Sequence, residues 1–183
     1  MTDLFQKYVP PSLKYLRQYT DAVVPVEDMA LISGLLPMLE GVVDSEIADD
    51  SFKLETSFVF CVVWAFGSAL TLCDGGLDNR QKFSDWWKTQ YKQVRLPTRD
   101  TVFDYWLDPA SNKFEPWRQS PSFRTVEFDS RSTKMHELTV PTTETSSISH
   151  WMDILIRRRR PILLAGPGGL KLIHKWRIVS VCS

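Results

Sequence analysis

An excess of either charge is missing from this sequence: Lys plus Arg and Asp plus Glu number 22 each. No overall field draws the chain to nucleic acid or to an anionic membrane, and any charged contact must be local. Cysteine is sparse, and Cys61, Cys73 and Cys182 form an odd set without C-x-x-C spacing. The first two lie in one apolar stretch as small hydrophobes, which fits a reducing compartment. His136, His150 and His174 lack metal-ligand spacing and each reads as a surface or cap residue. Met1 to Lys7 shows no basic region followed by an apolar one, so no signal peptide is expected and the setting is cytoplasmic or cytoskeletal. A membrane-length apolar run is also missing. Thr56 to Cys73 carries no charge, yet Thr56, Ser57, Gly67, Ser68 and Thr71 thin it below the roughly 20 apolar residues of a span.

What is present is a packed interior. Hydrophobic residues make up 43% of the chain and aromatic residues 12%, with seven Trp, which suits a single globular domain or a small domain plus part of another. The first half reads as helices. Asp3 caps a short turn that Pro10-Pro11 ends, and a second helix runs from Ser12 to Tyr19. Glu27 to Val43 carries an apolar stripe at Met29, Ile32, Leu35, Leu36, Leu39 and Val43, with a kink or break near Gly34 to Pro37. Asp44 to Ser51 reads as a surface loop, Phe58 to Leu72 as a buried central helix, and Asp74 to Asn79 as a turn. Leu77 to Gln93 is helical again. Its adjacent Trp86 and Trp87 imply a wide buried face.

After Pro97 the pattern changes. Thr101 to Leu107 and Phe114 to Trp117 flank a polar turn and predict a β-hairpin. Phe123 to Phe128 and Glu137 to Val140 are further strand candidates, with loops at Arg118 to Ser122 and Asp129 to Lys134. Thr145 to Arg158 is an amphipathic helix carrying Ile148, Trp151, Met152 and Leu155, closed by the four arginines Arg157 to Arg160.

The chain then writes most of a nucleotide-binding loop. Pro161-Ile-Leu-Leu-Ala165 opens into Gly166-Pro167-Gly168-Gly169, a Gly-rich turn of the kind that lets backbone amides approach phosphate. A G-x-x-x-x-G-K-[ST] loop would place Gly, Lys and Ser or Thr at 171, 172 and 173, where Lys171, Leu172 and Ile173 stand. The phosphate-reaching lysine is out of register and the Mg²⁺-binding hydroxyl is missing.

Several stretches, in order and spacing from about Leu4 to Gly169, resemble the dynein heavy chain, the large AAA+ microtubule motor. They are Phe58 to Leu70, Phe83-Ser-Asp-Trp-Trp87, Thr101 to Tyr105 with Phe114-Glu-Pro-Trp117, Val140-Pro-Thr-Thr-Glu-Thr145, Trp151 to Leu155, and Arg158 to Gly169. Leu4 to Pro10 and Trp64-Ala-Phe-Gly67 look closer to axonemal outer-arm chains than to cytoplasmic ones.

The resemblance implies an α+β, mainly α fold: a helical AAA+ lid bundle with a β-hairpin extension, then the first helix and strand of a truncated P-loop AAA+ module. The segments are 1–96 for the lid of the second module, 97–135 for the hairpin and its loops, 136–169 for the start of the third, and 170–183 for a divergent tail. The family's enormous length makes this chain a fragment. Val140, Pro141 and Thr142 would pass the adenine, and Gly166, Pro167, Gly168 and Gly169 would approach the phosphates. No catalytic residue and no metal ligand is carried over. ATP or ADP with Mg²⁺ is implied for the parent, with this chain binding nucleotide weakly. Its partners would be the adjacent AAA+ modules, and for the parent microtubules and the dynein intermediate and light chains, in cytoplasm, cytoskeleton and the axoneme of a cilium or flagellum. Nucleic acid and membrane are not expected partners. The rival functions are a non-enzymatic helical interaction module and a small degenerate P-loop nucleotide-binding protein.

Overall fold

The computed structural model describes residues 1–22, 25–70, 78–123 and 141–162. Six α-helices appear among them: α1 (Thr2–Tyr19), α2 (Asp28–Val42), α3 (Ser45–Asp49), α4 (Ser51–Gly67), α5 (Asn79–Gln90) and α6 (Thr143–Arg157). Between α5 and α6 lies an antiparallel hairpin, β1 (Tyr105–Asp108) with β2 (Lys113–Pro116), in register Tyr105 to Pro116 and Asp108 to Lys113. The fold is therefore mainly helical with one small sheet. No described helix is long and apolar enough to cross a membrane.

Helix starts are written plainly. Asp44, Asp50 and Asp78 each accept a hydrogen bond from the first-turn amides of α3, α4 and α5, satisfying donors that have no intrahelical partner. Thr142 caps α6 in a box with Thr145, each side-chain oxygen accepting the other residue's amide, at 3.1 and 2.7 Å. The expected loop at Asp44 to Ser51 is instead the short helix α3 between two such caps.

Helix α4 is the hub. It contacts α1, α2, α3 and β1 and is buried almost continuously from Thr56 to Gly67. On one side Phe58 joins Tyr8, which packs against Trp87 and Tyr91. On the other, Phe60 and Trp64 meet Phe103, Trp117 and Trp151 at ring separations of 5.1 to 5.7 Å. Trp87 is fully buried, and Trp86 lies partly buried on Tyr15 at 4.6 Å, so both occupy one wide face. Tyr8 Oη also donates to Glu55 at 2.6 Å, pinning α1 to α4. Burial and that carboxylate push the Tyr8 phenol up to about 12.

Several local expectations are corrected. Pro10 and Pro11 do not end a helix, because α1 runs through both. Pro11 leaves the Lys7 carbonyl without its amide, and Tyr91 Oη donates to it at 3.3 Å. Pro37 does not break α2 either, and the expected stripe holds in part: Leu35 and Leu39 face the core, joined by Met38, while Met29 is 69% and Leu36 52% exposed. The hairpin starts later than expected, since Val102–Asp104 is a 3₁₀ turn, and Trp117–Gln119 forms another where a loop was expected from Arg118. Glycine is required at two close approaches. A β-carbon at Gly41 would overlap the Ile154 side chain where α2 meets α6, and one at Gly67 would overlap the Phe103 ring.

Candidate functional site

Of the residues expected to meet nucleotide, Val140, Gly166, Pro167, Gly168 and Gly169 lie outside the described residues, as do Lys171 and the tail. The strand candidates at Phe123 to Phe128 and Glu137 to Val140 fall almost wholly outside as well, as do His136 and His174. Pro141 and Thr142 are described, and they stand at the mouth of α6 as the residue before its cap and the cap itself.

That mouth faces α5 and the turn before β1. A cavity of about 190 Å³ opens there, lined among others by Trp64, Arg80, Asp104, Thr143 and Glu144. Arg80 dominates it. Its side chain is 18% exposed, its guanidinium stands 4.5 Å over the Phe103 ring and 5.9 Å from Trp64, and Nη1 reaches Glu144 Oε1 at 3.5 Å. Burial lowers the Arg80 pKa and the charges of Glu144, Asp78 and Asp104 oppose that; an arginine stays charged regardless. Cation–π contact and carboxylate together hold one cation between α4, α5 and α6. Three carboxylates around a single guanidinium neutralise it and would repel a phosphate group. Among the described residues no group of His, Cys, Asp and Glu is placed to hold a metal.

Arg80 escaped the sequence reading, because nothing in its neighbours announces that Phe103 and Glu144 will close on it. His150 was misread. Instead of a surface or cap residue it is a partly buried ring packed against the core, 5.3 Å from Trp117 and 5.2 Å from Trp151, and burial pushes its pKa down to about 4. The sign follows: the unfolded chain takes up a proton below about pH 6.5, which the folded chain resists until about pH 4. His150 therefore favours the fold above pH 6.5 and withdraws roughly 2–3 kcal/mol as pH falls to 4. Urea titrations at several pH values should show this acid slope in the wild type and a shallower one in His150→Phe; parallel slopes would contradict the burial of this ring. Burial also pushes the Cys61 thiol up, which keeps it an inert hydrophobe.

The sequence that builds these elements has known relatives. The family model described as the dynein heavy chain AAA lid domain matches residues 1–119. The chain belongs to the dynein heavy chain family. It is 34% identical over 173 residues to the dynein alpha chain of the flagellar outer arm of Chlamydomonas reinhardtii, covering 93% of this chain and 4% of that one. It is 37% identical over 173 residues to human dynein axonemal heavy chain 9, covering 92% and 4%. Against the ciliary dynein beta chain of Heliocidaris crassispina the figures are 38% over 173 residues, 93% and 4%. This dynein chain thus spans about 4% of the length of the relatives it matches.

Within a dynein heavy chain, the lid corresponds to α1 through the 3₁₀ turn at Trp117, and α6 lies beyond the matched stretch. The Arg80 site sits where the two meet.

Proposed function

We propose that this chain works as a coupling piece of an axonemal dynein heavy chain, an ATP-driven motor that moves along microtubules in cilia and flagella. The lid closes over one nucleotide site and hands its movement to the next AAA+ module. The observation that supports this is the seat of α6: Trp151 and Met152 are buried, Trp151 lies 5.1 Å from Phe60, and Arg80–Glu144 and Arg160–Glu40 tie both ends of the helix to the lid. A helix packed into its neighbour's core moves with that neighbour, because close-packed interiors transmit displacement instead of absorbing it.

Nucleotide, ATP or ADP with Mg²⁺, belongs to the parent's complete sites, and Val140, Pro141, Thr142 and Gly166 to Gly169 are the edge of one. The register after Gly169 provides neither the lysine nor the metal-binding hydroxyl. The isolated chain should therefore hydrolyse no ATP above background, and steady Mg²⁺-dependent turnover by purified protein would defeat this reading. Adjacent AAA+ modules are its direct partners, with microtubules and the intermediate and light chains engaged by the rest of the heavy chain.

Coupling itself is tested at Gly41. Gly41→Ala drives a methyl into Ile154 and should unseat α6. In a full-length heavy chain this substitution should slow microtubule gliding. Unchanged gliding together with faster amide exchange across 143–157 would refute the coupling role.

A further inference from the structure

Helix α6 ends in four consecutive arginines, and all four are exposed. The chain leaves the helix through a pair of reverse hydrogen bonds, Arg160 N to Leu155 O at 3.0 Å and Arg159 N to Ile156 O at 2.9 Å. This geometry puts its penultimate residue in the left-handed region, where glycine is favoured. Arg159 occupies that position with φ 54°. A left-handed arginine costs about 1 kcal/mol relative to glycine, and a run of like charges adds repulsion. Arg157 repays part of this by facing the carbonyl end of α6, and Arg160 pairs with Glu40 at 3.2 Å. Among the described residues Arg157, Arg158 and Arg159 have no carboxylate partner, and none of those residues offsets the strain and repulsion at 158 and 159. Backbone strain kept on an exposed, charged residue points to an external contact.

Beside the arginines stands Ile156, 51% exposed and one of few large apolar side chains at the described surface. A patch meant for a polyphosphate or nucleic-acid backbone gains nothing from an exposed isoleucine. A polypeptide can place carboxylates on guanidinium forks and an apolar side chain on Ile156. We propose that Ile156, Arg157, Arg158 and Arg159 form a docking point for an acidic protein segment with alternating carboxylate and apolar side chains. The surface lies on the exposed end of α6 and does not rest on the coupling role given above.

Titrating the purified chain with a fluorescein-labelled Glu-Glu-Leu repeat peptide, read by anisotropy at low salt and at about 0.15 M, tests it. Binding to the wild type should weaken as salt rises, fall about tenfold in the R157Q/R158Q/R159Q variant and about threefold in R157K/R158K/R159K or Ile156→Ser. The deciding variant is Arg159→Gly. It should raise the melting temperature by relieving the left-handed strain while weakening peptide binding about threefold, opposite signs that a purely structural arginine would not give. Equal affinity of wild type and the triple glutamine variant overturns the proposal. So does undiminished binding of a Gln-Gln-Leu repeat, or displacement of the peptide by tripolyphosphate at equal or lower concentration, which would make the patch a general anion site.

Discussion

Replacing Trp117 with alanine should cost about 3–5 kcal/mol, enough to remove much of the stability of a domain this size. Trp117 is wholly buried, its Nε1 donates to the Phe103 carbonyl at 2.8 Å, and its ring meets Trp64 edge-on at 5.7 Å and His150 at 5.3 Å. Alanine leaves a cavity on the scale of an indole among rings that cannot collapse into it, and it strands the Phe103 carbonyl. The damage should be uneven. Trp117 is where the hairpin's exit, α4 and α6 converge, so exchange protection across α6 should fall first, while α1 and α5, packed around Tyr8 and Trp87 on the far side of α4, persist longer. Chemical denaturation with hydrogen exchange separates these outcomes. A loss below about 1.5 kcal/mol, or uniform loss of protection, would show that this ring is not the junction described here.

Gly67→Ala should rank second, at roughly 1–3 kcal/mol, for the opposite reason: too much matter instead of too little. A β-carbon at Gly67 overlaps the Phe103 ring and presses on Phe83 Cδ1 at 3.3 Å, and both rings are buried with nowhere to swing. Gly34→Ala is the matched control. It also sits inside a helix, its added β-carbon meets nothing within 4 Å, and it should be neutral or stabilising by up to about 1 kcal/mol. Thermal melts of the two variants should move in opposite directions. If both fall together, helix propensity or expression, not contact with Phe103, governs the result.

The elements that were legible in the sequence were those with local causes. The uncharged run from Phe58, the spacing of Phe83, Trp86 and Trp87, and the polar turn between the hairpin strands act within a few residues; the Asp50 cap escaped that reading, and α4 starts at Ser51, ahead of the helix expected from Phe58. The misreadings had distant causes. Nothing near Pro10-Pro11 discloses that Tyr91 will supply the hydrogen bond those prolines remove. Helix α2 is apolar on nearly every side, so spacing alone drew its stripe too wide, taking in Met29 and Leu36 beside Leu35 and Leu39; contact with α4 selects Leu35, Met38 and Leu39. His150 looked like a surface residue because a single imidazole carries no periodic signature, and only the convergence of Trp117 and Trp151 buries it. For the site, the sequence pointed to Thr142 as part of a nucleotide edge. The structure adds Arg80 beside it, a cation whose partners Phe103 and Glu144 lie far along the chain.

The hydrogen bond from Tyr91 to the Lys7 carbonyl sets an order of assembly. It spans 84 residues, so the middle of α1 lacks its completing donor until α5 has been made and Tyr91 follows it. At the pace of ribosomal synthesis, about 5–20 residues per second, that is a wait of roughly 4–17 seconds. During it the two halves of α1 flank an unsatisfied proline pair with Tyr8, Val9 and Leu13 uncovered. A helix whose residues are all in place early thus waits for a donor made 84 residues later, and a nascent chain stalled before Tyr91 leaves α1 without it.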